Sequence, residues 1–406
     1  MATDELLIPE GGVLLHIGPQ KTGSTGIQQA MHQARADLAE QGVLYPGPKF
    51  RPAEGGWAVM GINAAVGRPA PRIELWDQLA RDVAETSLPR VCVSDEDFAR
   101  ADDAAVDRIV SSLGGEAVHL VYVARRIDRL LPSQWQERVK ARLTLSYPEF
   151  LDQMVSETAR SWEWHRTWDP QTVGDVIDRW ARHVDRSKIT VIVSSDTDRE
   201  VIPRAFERLL GLTEGLLVPP DQKSNRSLGF AEAEAVRRVN KVFAEQEWSP
   251  EAYWRVVQAG IAKKLKNSPR TDDPSPIPGL PASAFGRVAE LADQQAEAIK
   301  SAGVHVVGDP ESLRIRDIVA PVEECGTVDT VSIELLANVV EGAIAGGFDL
   351  QKRTVRKRMA QRRAAQKRPA TRDLSELTSR ELAGLLRRRV TSRLRPPDRP
   401  RRPTEG

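Results

Sequence analysis

The chain has 406 residues, a net charge of +1 and 40% apolar residues, which suits one large α/β domain with additions or two domains. Its acidic start, MATDELLIPEGG, lacks the basic and apolar regions of a signal peptide, and no stretch reaches the length of a membrane span. Two cysteines are too few for a disulfide framework, so we expect a protein of the reducing cytoplasm. The six histidines form no metal-ligand pattern.

Short apolar runs alternate with helical patterns along the chain. The runs predicted as strands are residues 13–17, 91–93, 118–123, 189–193 and 303–307. The main helical patterns are residues 24–40, 103–113, 171–184, 198–210, 228–244, 283–302 and 331–346. This alternation predicts an α/β fold with a buried, mainly parallel sheet flanked by helices, and ligands beyond the C-terminal strand ends. Residues 43–72 and 267–282, rich in Gly and Pro, are predicted as irregular connections.

The first strand leads into a loop with the composition of a phosphate site. The stretch 13–28 reads VLLHIGPQKTGSTGIQ, and a helical pattern follows directly. Small residues, hydroxyls and a helix N-terminus together can cradle a phosphate. A simple helix cap needs only one hydroxyl, so the phosphate interpretation is favoured. Lys21 precedes Gly23, which excludes a Walker A loop, because there the Lys follows the second glycine.

The order Gly-Pro-Gln-Lys-Thr-Gly-Ser-Thr at 18–25 resembles the phosphosulfate-binding loop of sulfotransferases that use 3′-phosphoadenosine-5′-phosphosulfate (PAPS), above all bacterial members. The resemblance implies a P-loop-like α/β fold with PAPS as donor and no required metal. It implies that the 5′-phosphosulfate is bound by Gly18, Lys21, Thr22, Gly23, Ser24 and Thr25. It also implies that Lys21 acts in catalysis, at the bridging oxygen. Gly26 replaces the aromatic residue of the cytosolic members.

A second basic motif follows the strand at 118–123. Arg125 comes directly after this strand and Ser133 follows eight residues later. The 3′-phosphate motif of sulfotransferases has the same spacing, so the resemblance assigns 3′-phosphate binding to Arg125 and Ser133. Taken alone, the motif also fits a charged helix start with solvated arginines. Because Arg126 is adjacent to Arg125, it stays open which of the two arginines binds the 3′-phosphate. Pro132 fits the first turn of a helix, so we predict a helix that begins near Leu130.

The strand at 91–93 is followed by acidic residues that offer a general base. Asp95, Glu96 and Asp97 are consecutive, and the resemblance to Golgi carbohydrate sulfotransferases favours Glu96. An acidic cluster before a helix is nearly as well explained by the helix dipole. His16, within the first strand, is the alternative base.

Residues 223–228, KSNRSL, precede the predicted helix at 228–244. Asn225 or Ser227 is predicted to cap this helix, and nucleotide contact by Arg226 stays open.

The motifs together predict a sulfotransferase that moves a sulfuryl group from PAPS to a hydroxyl or amine acceptor, such as a carbohydrate, a lipid or a small metabolite. Two other functions stay open. The first is a P-loop nucleotide kinase or hydrolase. The second is a non-catalytic protein that binds nucleic acid or another partner through its basic end.

That basic end is residues 351–406, which carry 19 Lys/Arg and 5 Asp/Glu, a local charge of +14 against −13 for the rest. We expect a catalytic domain over 1–345 and a basic, largely disordered tail over 346–406, with a possible basic helix at 374–395. The tail is expected to contact an anionic partner or a membrane surface, or only to aid solubility. Aromatic residues are absent from 351–406, which disfavours base stacking.

Overall fold

A computed structural model describes residues 6–63, 69–158, 160–219, 226–269, 276–326 and 328–367. The chain divides into two compact units, Met1–Gly347 and Phe348–Gly406. The sheet and every residue discussed as a site belong to the first unit. The possible helix at 374–395 lies outside the described residues, as does Asn225.

The first unit is built on a six-stranded sheet in which every neighbouring pair is parallel. The strands are β1 (Val13–His16), β2 (Val43–Leu44), β3 (Arg90–Ser94), β4 (Val118–Ala124), β5 (Ile189–Val193) and β6 (His305–Val307). Their order is β2-β3-β1-β4-β5-β6. The predicted parallel sheet is confirmed, with β2 as an additional edge strand.

Helices cover both faces of the sheet, so the central strands are apolar throughout. All four residues of β1 and all five of β5 are buried. Successive residues enter different cores: Leu15 packs in the cluster on one face, whereas Leu14 packs in the cluster on the other. A third core, around Trp135, Tyr147 and Phe150, joins two helices that follow β4 to the helices of the C-terminal part of the first unit.

The helices before β5 are α1 (Ser24–Gln33), α2 (Arg35–Glu40), α3 (Ala53–Met60), α4 (Glu74–Glu85), α5 (Asp103–Ser112), α6 (Ile127–Lys140), α7 (Tyr147–Val155), α8 (Trp162–Trp168) and α9 (Val173–Trp180). Those after β5 are α10 (Val201–Leu210), α11 (Phe230–Glu245), α12 (Pro250–Tyr253), a π-helix (Trp254–Ala262), α13 (Lys263–Asn267), α14 (Ala282–Ser301) and α15 (Ile333–Lys367). No helix among the described residues combines the length and apolar character needed to cross a bilayer.

Four sequence expectations about helices were wrong. Helix α11 begins at Phe230 with Gly229 as its N-cap, so Ser227 does not cap it as predicted. The stretch 43–72, predicted to be irregular, contains α3. Gly55 and Gly56 favoured a loop in the sequence, but in the structure their lack of a side chain lets the helix pack closely against its neighbours. A Cβ on Gly56 would lie 3.0 Å from Asp95 Oδ2. Helix α6 begins at Ile127 rather than near Leu130, and Pro132 lies inside it. Helix α15 continues beyond residue 346 to Lys367.

The order in which strands are added to the sheet switches sides at β1: β2 and β3 lie on one side of it, and β4, β5 and β6 lie on the other. Strand β1 pairs with β3 on one side and β4 on the other, whereas β2 lies beyond β3. Ligands of open parallel sheets bind beyond the carboxyl ends of the strands at such a switch point. The loops after β1, β3 and β4 therefore meet at one edge, and they hold the residues that the sequence singles out.

Candidate active site

The loop between β1 and α1 has an unusual backbone. Gly18, Lys21 and Gly23 have φ values of 88°, 70° and 105°. The left-handed region is uncommon for a residue with a side chain, so the conformation of Lys21 must be imposed by its surroundings. Gly23 is the N-cap of α1, and no side chain caps this helix. The helix N-terminus therefore opens onto exposed Gly23 with its first amides available to an anion.

Contacts inside and outside the loop hold this backbone in place. The Thr22 and Ser24 hydroxyls both donate to the Pro19 carbonyl, at 2.7 and 3.1 Å. Gln171 donates from its side chain to the Gln20 carbonyl at 2.8 Å. Thr22 and Ser24 are both buried, so in this structure their hydroxyls brace the loop rather than face solvent.

Arg125 connects the two predicted phosphate motifs directly. Its Nη1 donates to the Lys21 carbonyl at 2.6 Å. Burial lowers the pKa of Arg125, while Asp196 opposes that shift. Because Arg125 follows β4 and Lys21 follows β1, the parallel pairing of these strands places them side by side. The strained Lys21 backbone is therefore fixed by the second motif.

The loop and the second motif line the same cavity, which has a volume of about 1520 Å³. Of the predicted site residues, it is lined by Thr22, Gly23, Thr25, Arg125 and Ser133. Gly18, Lys21, Ser24 and Glu96 are not among its lining residues. The structure thus gathers both motifs on one cavity, but it does not bring the predicted catalytic pair, Lys21 and Glu96, onto the cavity lining.

The structure distinguishes Arg125 from its neighbour Arg126. The Arg126 guanidinium binds Asp128 through Nε and Nη2, at 3.0 and 2.8 Å, and lies 3.2 Å from Asp196. Arg126 does not line the cavity, whereas Arg125 does. Arg126 is therefore bound to carboxylates, and of these two arginines Arg125 is the one that lines the cavity.

Glu96 lies against the loop at the point where Gly18 allows it. A Cβ on Gly18 would lie 2.6 Å from Glu96 Cα. The Glu96 side chain is 14% exposed, and its Oε2 is buried without a hydrogen-bond partner among the described residues. Burial raises the pKa of Glu96, and the charges of Arg51 and Lys21 oppose that rise. Glu96 thus has a basic carboxylate near the Lys21 ammonium.

The acidic cluster after β3 is organised by Arg51, which the sequence did not reveal. Arg51 Nη1 lies 2.8 Å from Asp95, 3.2 Å from Asp97 and 3.6 Å from Glu96. Asp97 also accepts from Trp57 Nε1 and from the Gln20 amide, each at 2.7 Å. Burial raises the pKa of fully buried Asp95 to about 7, against the attraction of Arg51. Asp95 and Asp97 therefore hold the site together, and Glu96 is the most exposed of the three carboxylates.

His16, the alternative base, lies beneath the site rather than in it. It is fully buried, its Nδ1 lies 2.8 Å from Ser94 Oγ, and its ring meets Phe206 edge-on at 5.2 Å. Burial lowers the pKa of His16 to about 3. A neutral histidine at this depth fits a packing role under the loop.

The Lys21 side chain points to helix α6. Lys21 Nζ and Lys140 Nζ both contact Glu137 Oε2, at 2.7 and 2.5 Å. Glu137 was not predicted from the sequence. The available signal was its position four residues after Ser133, which places both on one face of α6.

The far walls of the cavity come from later elements. Ser194, Ser195 and Asp196 follow β5 directly. Arg226 and Lys266 also line the cavity, and Arg226 is held by Glu232 through two 2.8 Å hydrogen bonds. Arg226, for which nucleotide contact was left open, is therefore on the cavity. Among the described residues, no group of three or more His, Cys, Asp or Glu is arranged to hold a metal ion.

No protein-family model matches this chain, and no curated protein is a significant match in sequence. Among solved structures, the chain is similar to a sulfotransferase from Alicyclobacillus acidocaldarius. The two share 16% identity with a TM-score of 0.37, and the match covers 59% of this chain and 97% of the other. Likeness at this level does not transfer a function, which has to be inferred from the site itself.

Proposed function

We propose that this protein is a PAPS-dependent sulfotransferase acting on a hydroxyl or amine acceptor. The observation that carries the proposal is the shared cavity, in which the loop after β1 and the Arg125–Ser133 motif face one volume. Two separate anion sites on one cavity suit a nucleotide that carries phosphate groups at two ends.

The residues present fit such a nucleotide. The uncapped N-terminus of α1 offers backbone N–H groups at Gly23, with the Thr25 hydroxyl nearby, for the 5′ end. Arg125 and Ser133 offer a guanidinium and a hydroxyl for the 3′-phosphate. The Thr22 and Ser24 hydroxyls, which bind Pro19, would contribute by holding the loop in shape. When bound, PAPS supplies a sulfuryl group on a phosphate leaving group.

The neighbouring residues supply what the transfer needs. The acceptor oxygen or nitrogen forms a bond to sulfur, while the bond from sulfur to the bridging oxygen breaks and its electron pair stays on the 5′-phosphate. Lys21 would stabilise the negative charge that develops on that oxygen. Glu96 would accept the proton that the acceptor loses. Its raised pKa suits this role, since a more basic carboxylate is a better proton acceptor.

A thermal-shift comparison tests the donor assignment. We expect 3′,5′-ADP to raise the melting temperature more than 5′-AMP or ATP, without Mg²⁺. A ligand at 100 times its Kd adds about 2.7 kcal/mol to the free energy of unfolding. A preference for ATP that depends on Mg²⁺ would instead support a nucleotide kinase or hydrolase and overturn the proposal.

Two neighbouring arginines provide a matched pair for this experiment. Arg125→Gln should weaken stabilisation by 3′,5′-ADP more than stabilisation by 5′-AMP. The substitution removes the 3′-phosphate contact, which only 3′,5′-ADP makes, and the hydrogen bond to the Lys21 carbonyl, which affects both ligands through the loop. Arg126→Gln should leave both ligand shifts unchanged, because Arg126 binds Asp128 and Asp196. Equal losses in the two variants would contradict the assignment of Arg125.

A further inference from the structure

One face of α6 carries polar residues from the cavity to Lys21. Ser133, Glu137 and Lys140 are spaced four and three residues apart, so they lie along one side of the helix. Ser133 lines the cavity. Glu137, one turn further on, contacts Lys21 at 2.7 Å. This face therefore connects the predicted 3′-phosphate site with the predicted catalytic lysine.

Glu137 is shared by two ammonium groups on a single oxygen. Lys21 and Lys140 both donate to Oε2. Burial opposes ionisation of Glu137, but the two lysines outweigh it and hold its pKa well below the usual range. Burial also lowers the pKa of Lys140 to about 8, with Glu137 opposing and Lys21 adding to that shift. One carboxylate oxygen of Glu137 is thus shared by two ammonium groups, Lys21 and Lys140.

A third lysine connects this group with the cavity. Lys266 lines the cavity and is close enough to Lys140 to help lower its pKa. Lys21 itself does not line the cavity, and its side chain is 27% exposed while it binds Glu137. Its backbone is fixed by Arg125, so its ammonium can change partner only by rotating the side chain.

We propose that Glu137 is a positioning residue that holds the Lys21 ammonium out of the cavity, and that the anionic oxygens of the nucleotide displace Glu137 as the partner of Lys21. This inference rests on the proposed function, because the displacing group is the 5′ end of the bisphosphate nucleotide. Lys140 remains on Glu137 after the exchange, so the carboxylate keeps one lysine partner. The loss of the Lys21–Glu137 pair is part of the free energy of nucleotide binding.

The test uses the full chain and two measurements. The first is the Kd of 3′,5′-ADP by calorimetry. The second is the reactivity of the Lys21 amine, measured by mass spectrometry after brief acylation with and without 3′,5′-ADP. Glu137→Gln keeps the shape of the side chain and removes its charge. We expect this substitution to lower the Kd of 3′,5′-ADP about threefold, because the nucleotide no longer has to break a partly exposed ion pair. We also expect it to raise the reactivity of the Lys21 amine in the free protein.

Two further variants separate the pair from other effects. Glu137→Asp keeps the charge and should restore wild-type Lys21 reactivity. Asp198→Asn removes a carboxylate that lines the cavity and is bound by Arg204. The Asp198→Asn variant therefore measures how the loss of any negative charge near the cavity changes the Kd of 3′,5′-ADP. It should leave the reactivity of the Lys21 amine unchanged.

The outcomes distinguish this inference from the function on which it rests. If the wild type fails to bind 3′,5′-ADP, the proposed function is wrong and the exchange falls with it. If the wild type binds, but Glu137→Gln changes neither the Kd nor Lys21 reactivity, only the role of Glu137 is wrong. If Asp198→Asn raises Lys21 reactivity as much as Glu137→Gln does, the effect is general charge and the role is again wrong.

Discussion

Gly18 sets how closely the loop after β1 approaches the loop after β3. Its φ is 88°, and an added Cβ would lie 2.6 Å from Glu96 Cα and 2.8 Å from the Glu96 carbonyl oxygen. Backbone atoms cannot rotate away as a flexible side chain would. We therefore expect Gly18→Ala to lower the free energy of unfolding by about 3 kcal/mol, measured by urea denaturation.

Gly47 provides the matched control, since it has a φ of 82° but no atom within 4 Å of an added Cβ. Gly47→Ala carries only the conformational cost, about 1 kcal/mol. The difference between the two variants measures the contact with Glu96. Equal losses would show that Gly18 is required for its backbone conformation alone.

Glu96 is the residue whose chemistry can be tested without knowing the acceptor. Slow hydrolysis of PAPS uses water as the acceptor, and release of 3′,5′-ADP reports it. We expect Glu96→Gln to lower this rate by about 100-fold while 3′,5′-ADP still binds. Because burial raises the pKa of Glu96, the wild-type rate should rise with pH up to a midpoint above that of an ordinary glutamate.

Glu54→Gln is the control for loss of a carboxylate, because Glu54 is paired with Lys49 on the exposed surface. It should leave both the rate and its pH dependence unchanged. Hydrolysis by Glu96→Gln at the wild-type rate would remove Glu96 from the mechanism.

The residues that the sequence identified and those that it missed differ in the range of their contacts. Arg125 and Ser133 were found because their spacing within one motif is visible along the chain. Arg51 and Glu137 were not found, because Arg51 meets Asp95 across 44 positions and Glu137 meets Lys21 across 116. No local pattern specifies which distant charge a side chain will meet.

At the scale of elements, the sheet was predictable, whereas helix α3 was missed and one boundary each of α6 and α15 was misplaced. Strands β1, β4 and β5 are buried apolar runs, which are clear signals. Helix α3 was missed because Gly55 and Gly56 are poor helix formers, although close packing against Asp95 and α4 requires small residues there. Tertiary packing outweighed local preference in that helix.

Helix α15 also depends on glycine, where it packs against the π-helix. A Cβ on Gly342 would lie 2.6 Å from Ile261 Cα, and one on Gly260 would lie 2.3 Å from the Gly342 carbonyl oxygen. The two backbones are therefore in direct contact. We expect Gly342→Ala to lower the free energy of unfolding by about 2 kcal/mol in a denaturant titration, through steric overlap.

Gly347, on the same helix, has no atom within 4 Å of an added Cβ. Gly347→Ala should raise stability by as much as about 1 kcal/mol, because alanine favours the helix. A loss of stability for Gly342→Ala together with a gain for Gly347→Ala would establish the backbone contact between α15 and the π-helix. A gain in stability for both substitutions would exclude that contact.

At the scale of the whole molecule, the proposed site and the concentration of positive charge lie in different units. The cavity is lined by residues between Thr22 and Pro269, all within Met1–Gly347. Residues 351–406 carry the local charge of +14, which attracts polyanions without a specific pocket. Nucleotide binding and polyanion binding should therefore be separable.

A chain ending at Gly347 tests this separation. Stabilisation by 3′,5′-ADP should match that of the full chain, because every residue that lines the cavity is retained. Retention on a heparin column should be lost, since residues 1–347 carry 39 Lys/Arg and 51 Asp/Glu, a charge of −12. If truncation abolished the 3′,5′-ADP shift in a protein that still melts cooperatively, the basic end would belong to the nucleotide site. If heparin retention survived, the positive surface would lie in the first unit instead.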